Sequence, residues 1–238
     1  MSDILKGKNV LVTGASDGLG KHIALELAKS ECNLFLTGRN EQSLQKVKNE
    51  IKEAKVQYKT ADLTKAEEIE TLCDYIKAKM GGIDILVNCA GVFPVNSFEN
   101  SSLLEYDECF DLNVKAPFLL TKAFISSMIA NQWGRVINIA SSSAYNGSKN
   151  TSIYCASKHA LLGLTRSLSK EYNDKNVRFF CVSPGSIKTQ MGKKVEQLGQ
   201  IYDTFIDPQD IAKYICFSIS YDGNMISDEI RLNRIIVQ

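Results

Sequence analysis

Tyr154 and Lys158 stand four residues apart in Tyr154-Cys155-Ala156-Ser157-Lys158. Ser141 lies thirteen residues before the tyrosine, directly after the apolar run Val136-Ile137-Asn138-Ile139-Ala140. These residue types could serve as an acid, a cation beside it and a second hydroxyl donor. Residues i and i+4 share a helix face, so the ammonium can lie near the phenol. A phenol ionises near ~10, too high for proton transfer at neutral pH. A neighbouring cation favours the phenolate and lowers that value. The pair could then exchange a proton with a substrate oxygen. Taken alone, a tyrosine and a lysine at this spacing are better explained by an ordinary amphipathic helix. The rest of the chain decides between the two.

The elements that must position these groups are legible as short apolar runs alternating with longer helical patterns. Residues 10–12 read as a first strand and 18–30 as a helix with Ile23, Ala24, Leu27 and Ala28 on one stripe. A second strand at 33–37 precedes Asn40, a fitting N-cap for a helix that runs to about 54. A strand at 56–61, a helix at 64–80 and a near-continuously apolar strand at 83–88 follow, the last as expected of a strand covered on both faces. A long helical region covers 103–131, with Pro117 near a bend or a helix start. A strand at 136–140, a helix at 152–172 carrying the Tyr/Lys pair, and a strand at 177–182 come next. After a less regular segment at 184–206, a helix at 208–220 starts at Asp207-Pro208, and 229–232 forms a final strand.

Such alternation means βαβ units and a parallel sheet. Right-handed crossovers then place helices on both faces. The expected fold is α/β, a single doubly wound Rossmann-like domain over 1–238 with a parallel sheet of about seven strands. There is no internal repeat, low-complexity segment or interdomain linker.

Composition excludes several function classes. The 238 residues are 44% apolar and 23% charged, with a net charge of +1, so nothing draws the chain toward nucleic acid or an anionic membrane. Seven cysteines, an odd count with no CxxC pair, argue against a disulfide framework or a metal site. A reducing, cytoplasmic setting is expected. The first nine residues contain no apolar signal region, and no apolar run reaches about 18 residues, the length of a membrane span.

Thr13-Gly14-Ala15-Ser16-Asp17-Gly18-Leu19-Gly20 follows the first strand and opens the first helix. Glycines there let the backbone approach a pyrophosphate, and the helix N-terminus favours its charge. The spacing is TGxxxGxG, not GxGxxG, and no Gly-Lys-Ser/Thr follows, which excludes a Walker loop. The second strand ends in Thr37-Gly38-Arg39-Asn40. Many NAD sites place an acid there for the ribose 2′-hydroxyl; here Gly38 takes that position and Arg39 follows. An arginine can pair with a 2′-phosphate, which favours NADP(H) over NAD(H). Asp17, which adds negative charge to the same loop, counts slightly the other way.

Together these residues resemble the short-chain dehydrogenase/reductase family in its compact branch of about 250 residues. The resemblance runs from Lys8 to about Ala212, through TGASDGLG, Asp62-Leu63, Asn88-Cys89-Ala90-Gly91, Asn113, Ser141, Tyr154 with Lys158, and Pro184-Gly185. It implies an enzyme in which Tyr154 is the general acid/base. Lys158 would bind the nicotinamide ribose and lower the Tyr154 pKa. Ser141 would hydrogen-bond the substrate oxygen, with Ser142 and Ser143 as close neighbours in the chain. Asn113 would hold a water linking Lys158 to solvent. Gly14, Ser16, Asp17, Gly18, Leu19 and Gly20 would form the phosphate turn, beside Arg39. Asp62 and Leu63 would contact adenine. Asn88, Ala90 and Gly91 would line the cofactor path. Ile187 and Thr189, after Pro184 and Gly185, would meet the carboxamide. Hydride transfer between nicotinamide and a carbonyl or secondary alcohol is the implied reaction. Ser141 and Tyr154 would stabilise the developing oxyanion, and Tyr154 would deliver the proton.

The chain departs from the family pattern in two places. Many members end in a Gly-rich strand that helps form a subunit interface; here 227–234 read Ser-Asp-Glu-Ile-Arg-Leu-Asn-Arg. A homodimer or homotetramer is expected, with dimer contacts through 103–131 and 152–172, and this ending counts against the tetramer. The substrate lid, about 186–207, is short. Phe93, Tyr145, Asn146 and Tyr202 are the side chains expected to touch a small carbonyl or alcohol substrate. Reduction of 3-oxoacyl groups on a carrier protein would need cations by the pocket mouth; Lys175 could serve, whereas Gln132 stands where another cation is expected. Two other readings compete. A non-catalytic dinucleotide sensor on the same fold would not need all four of Asn113, Ser141, Tyr154 and Lys158. A sugar-nucleotide epimerase or dehydratase belongs to a longer branch of the family.

Overall fold

The computed structural model describes residues 3–196 and 198–235. The first two residues of the N-terminal segment, position 197 of the lid and the last three residues lie outside them. Seven strands form one sheet: β1 (Asn9–Thr13), β2 (Asn33–Gly38), β3 (Lys55–Thr60), β4 (Ile85–Asn88), β5 (Gly134–Ile139), β6 (Val177–Pro184) and β7 (Glu229–Leu232). Their order is β3-β2-β1-β4-β5-β6-β7, and every pairing is parallel. The alternation of side chains along a strand sorts the core into two layers. Val10 and Val12 of β1 face α1 (Gly18–Ala28), α2 (Glu41–Glu50) and α8 (Pro208–Ser220). Leu11, between them, faces α3 (Ala66–Met80) and α5 (Ala116–Ala130). All three side chains are fully buried, which is why the strand reads as an unbroken apolar run.

Local signals set the helix ends. Asn40 accepts a hydrogen bond from the Ser43 amide and Asp207 one from the Gln209 amide, so both caps are where the sequence puts them. The second helix is shorter than expected. It stops at Glu50, because Ile51 turns to extended backbone and starts the run into β3. The helical region from 103 is also not continuous. α4 (Leu103–Phe110), opened by a Ser102/Glu105 capping box, passes into a π-helical turn at Asp111–Lys115 before α5 begins with Pro117 in its first turn. The lid segment is more regular than expected, with α7 (Gln190–Glu196) inside it. α6 (Ser152–Tyr172) has the expected span.

The chain reverses its direction of winding between β1 and β4. At such a switch point the loops after the strands part and leave a crevice at their C-terminal ends. Thr13 closes the floor of that crevice: its hydroxyl oxygen accepts from the Cys89 and Ala90 amides, both at 3.0 Å. Gly14 lies so close to this loop that a Cβ would sit 2.8 Å from Ala90 Cα, and its φ of 64° also disfavours a side chain. A Cβ on Gly20 would fall 2.3 Å from the Gly14 carbonyl oxygen. Both glycines are therefore required by the turn itself.

Candidate active site

A cavity of about 320 Å³ occupies the crevice. Gly14, Asp17, Gly18, Leu19 and Gly20 wall it from the first turn, and Ala90 and Gly91 from the loop after β4. Ser141 enters after β5, Tyr154 and Lys158 from α6, and Pro184, Gly185, Ile187 and Thr189 after β6. Residues from five separate stretches of chain thus meet at one end of the sheet.

Tyr154 is 8% exposed and meets Phe93 edge to face, with ring centres 4.6 Å apart and planes at 75°. This geometry suits the aromatic quadrupoles and fixes the ring. Ser141 is held by the Ser143 amide, which donates to its Oγ at 3.1 Å. Lys158 Nζ donates to the Ile139 carbonyl at 2.8 Å and lies 5.6 Å from the Tyr154 ring centre. The electrostatics differ from the expectation. Burial pushes the Tyr154 phenol up to about 12, against a downward pull from its Ser141 hydrogen bond. Burial also pulls Lys158 down to about 8, with Cys89, Cys109 and Cys181 acting in the opposite sense. In the protein alone the phenol's shift is set chiefly by burial, and the Lys158 ammonium is turned to a backbone carbonyl.

Asn113 is buried in the π-helical turn, outside the cavity wall. Its Nδ2 donates to the Val92 carbonyl at 3.0 Å and to Ser157 Oγ at 3.1 Å, and its Oδ1 accepts from the Val92 amide at 3.0 Å. Ser157 in turn donates to the Tyr154 carbonyl at 2.8 Å. The side chain therefore braces the loop after β4 against the helix that carries Tyr154. Asn88 braces the sheet: its Nδ2 donates to Asn138 Oδ1 at 2.8 Å. It too lies outside the cavity wall.

The adenosine-side residues sit beyond the cavity. Ser16 packs on the end of β2, where a Cβ on Gly38 would come within 3.0 Å of its Oγ. Asp62 is held below its ordinary pKa chiefly by the Thr64 hydroxyl and amide, with smaller pulls from Lys65 and Arg39. Leu63 is buried in the core with Leu11 and Phe35.

Three of the four expected substrate contacts are corrected. Phe93 is on the cavity wall; Tyr145, Asn146 and Tyr202 are not. The Tyr145 hydroxyl donates to Glu229 Oε2 at 2.9 Å, and Arg231 covers its ring at 4.2 Å, so β7 draws the side chain away. Tyr202 packs against Phe205 just before α8. Gln132 and Lys175 precede the parallel strands β5 and β6, whereas Ser141 and Gly185 follow them. Both therefore lie at the opposite end of the sheet from this chain's cavity. Sequence reasoning missed Ser148, Thr151, Met191, Val195 and Gln200, which also line the wall. Thr151, just before the Tyr/Lys helix, was the one with a local signal.

The glycine turn, its helix N-terminus and the buried Lys158 fit a nicotinamide dinucleotide: close backbone for the pyrophosphate and an ammonium for ribose hydroxyls. Fold and site thus define a dinucleotide-dependent oxidoreductase. Comparisons with known proteins agree. A family model described as short chain dehydrogenase matches residues 8–198. A 3-oxoacyl-[acyl-carrier-protein] reductase of Rickettsia bellii is 34% identical over 232 residues, covering 94% of both chains. An uncharacterized oxidoreductase of Staphylococcus aureus (strain MRSA252) is 31% identical, covering 95% of this chain and 97% of its own. The crystal structure of a metagenomic short-chain oxidoreductase in complex with NADP superposes with a TM-score of 0.86 at 30% identity, covering 99% of this chain and all of that one. The chain belongs to the short chain dehydrogenase family.

Proposed function

We propose that this protein is an NADP-dependent oxidoreductase that interconverts a carbonyl and a secondary alcohol, with Tyr154 as general acid/base. The observation that carries the reading is the meeting of Tyr154, Ser141 and Lys158 on one wall of the switch-point cavity. When bound, the nicotinamide supplies or accepts the hydride. Ser141 and Tyr154 donate to the substrate oxygen as charge develops on it. Tyr154, protonated at neutral pH, carries the proton that the carbonyl oxygen receives. Lys158 holds the ribose, while Asn113, through Ser157, keeps the Tyr154 helix in place. Arg39 at the end of β2 and the NADP-bound relative support NADP over NAD. The exposed Leu103, Leu104 and Phe118 on α4 and α5 support a homo-oligomer. The seven free cysteines suit a reducing cytoplasm.

Titration of the purified protein with NADPH and NADH in parallel, then a carbonyl panel under the better cofactor, tests the reading. Tighter NADPH binding that weakens on Arg39→Ala, with turnover of a carbonyl, is expected. Equal or tighter NADH binding would make Arg39 a surface cation and the cofactor NAD. Cofactor binding with no turnover across the panel would favour a dinucleotide sensor.

A second reading has one observation behind it. Lys188, Lys193 and Lys194 are exposed on the lid beside the cavity mouth, which suits an acidic carrier protein bearing a 3-oxoacyl group. Faster reduction of a carrier-bound substrate than of the same acyl group on N-acetylcysteamine, lost when the three lysines become alanine, would support it.

A further inference from the structure

Apart from Lys158, the wall around the reacting groups carries no positive charge. On the substrate side of Tyr154 it is built from Phe93, Met191 and Val195, with Ser148, Thr151 and Gln200 as neutral polar groups. Two of the polar groups are already engaged: Thr151 Oγ1 donates to the Ser148 carbonyl at 2.9 Å, and Gln200 Oε1 accepts from Ser186 at 2.8 Å. Among the described wall residues the only acid or base with a charge at neutral pH besides Lys158 is Asp17. Asp17 belongs to the glycine turn at the far end, and it is negative. Lys158 is turned to the Ile139 carbonyl, and its burial already weakens its hold on a proton. The lid lysines Lys188, Lys193 and Lys194 are exposed and are not on the wall.

An anion entering such a space loses its hydration and gains no partner, which disfavours its entry. An uncharged body gains instead from contact with Phe93, Met191 and Val195. We infer that the substrate end of the cavity selects an uncharged carbonyl compound with an apolar body and rejects carboxylate- and phosphate-bearing ones. This rests on the assignment of the cavity as a carbonyl-reducing site. It extends to esters and thioesters, which are neutral where they enter, and it excludes free oxo acids and sugar phosphates.

The test uses a matched pair with the same ketone: ethyl acetoacetate and acetoacetate. Their dissociation constants are measured on the NADPH complex by calorimetry, and their turnover by NADPH consumption. The ester is expected to bind at least about tenfold more tightly than the acid. Val195→Lys, which adds a cation to the wall, should shrink or reverse that ratio. Equal or tighter binding of acetoacetate, or no binding of either compound, overturns the inference. Tighter ester binding without turnover would leave the charge selectivity standing and count against the reductase reading. Turnover of both with equal affinity would do the reverse.

Discussion

Lys158 holds its ammonium 5.6 Å from the centre of the Tyr154 ring, and burial moves the two groups in opposite directions. The phenol is held protonated up to about 12, while the ammonium loses its proton near 8. A proton donor and a marginal cation therefore share one buried corner. If the ammonium is what grips the ribose, cofactor affinity carries its signature. The dissociation constant for NADPH is expected to rise with pH above about 8, by up to about tenfold per unit. The dependence should vanish in Lys158→Met. Fluorescence titrations at a series of pH values check this; constant affinity to pH 10 would show that the charge is not used.

Asn113 links the Val92 loop to Ser157 and so to the Tyr154 carbonyl. Asn113→Leu removes one side chain but leaves several polar partners without a bond. It is expected to lower stability by about 2 kcal/mol, with Ser157→Ala costing about half as much. Urea denaturation read by circular dichroism measures both. If the link positions Tyr154, turnover falls in Asn113→Leu while the KM for cofactor stays near that of the parent.

Arg135 is fully buried at the opposite end of the sheet from the cavity, where it pairs with Asp222 on the loop before β7. Burial pulls its guanidinium down to about 10, and the nearby Arg178 adds to the pull. Trp133 lies against it, 4.4 Å from the ring centre to Cζ. Asp222→Ala leaves that charge without its partner and is expected to cost about 3 kcal/mol. Asp222 is partly open to water, so Asp222→Asn, which keeps a hydrogen-bond acceptor, should cost less. Thermal melts of the two variants give the order.

Alkaline stability follows from the thiols. Burial raises Cys32 and Cys89 from 9.0 to about 12 and Cys73 to about 11; Cys109, Cys181 and Cys216 are also raised. Above pH 9 the unfolded chain releases these protons while the folded one keeps them, so stability falls as pH rises. Lys158 acts the other way between about 8 and 10.5, because the unfolded lysine retains the proton that the folded one gives up. Tyr154 adds to the fall from 10 to about 12. Six thiols outweigh one lysine. The urea midpoint is therefore expected to drop steadily above about pH 9, and a midpoint unchanged to pH 11 would contradict the assigned shifts.

The fold was legible because both faces of the sheet are covered. The central strands β1 and β4 had to be apolar along the core, and they show this directly in Val10-Leu11-Val12 and Ile85-Leu86-Val87. The Tyr/Lys helix was legible to its ends because its spacing and its flanks agree. What escaped depends on distant partners. Tyr145 looked like a substrate contact, but its acceptor, Glu229, comes from a strand 84 residues later. Lys158 looked like the group that would lower the Tyr154 pKa; its orientation toward Ile139 and the depth of burial are tertiary facts. The π turn at Asn113 lies inside a pattern that reads as one continuous helix, and only the pull of Val92 and Ser157 on the asparagine marks the place. Gln132 and Lys175 lie away from this chain's own crevice for a topological reason: in a parallel sheet, residues before a strand lie at the end opposite those that follow it.

The central claim is that Tyr154 is the proton donor of a cofactor-dependent carbonyl reduction. Tyr154→Phe tests it most directly, with NADPH binding and carbonyl turnover measured on the same preparation. Turnover is expected to fall by at least about a hundredfold while the NADPH dissociation constant changes by less than about threefold. Turnover that survives the loss of the hydroxyl would contradict the account.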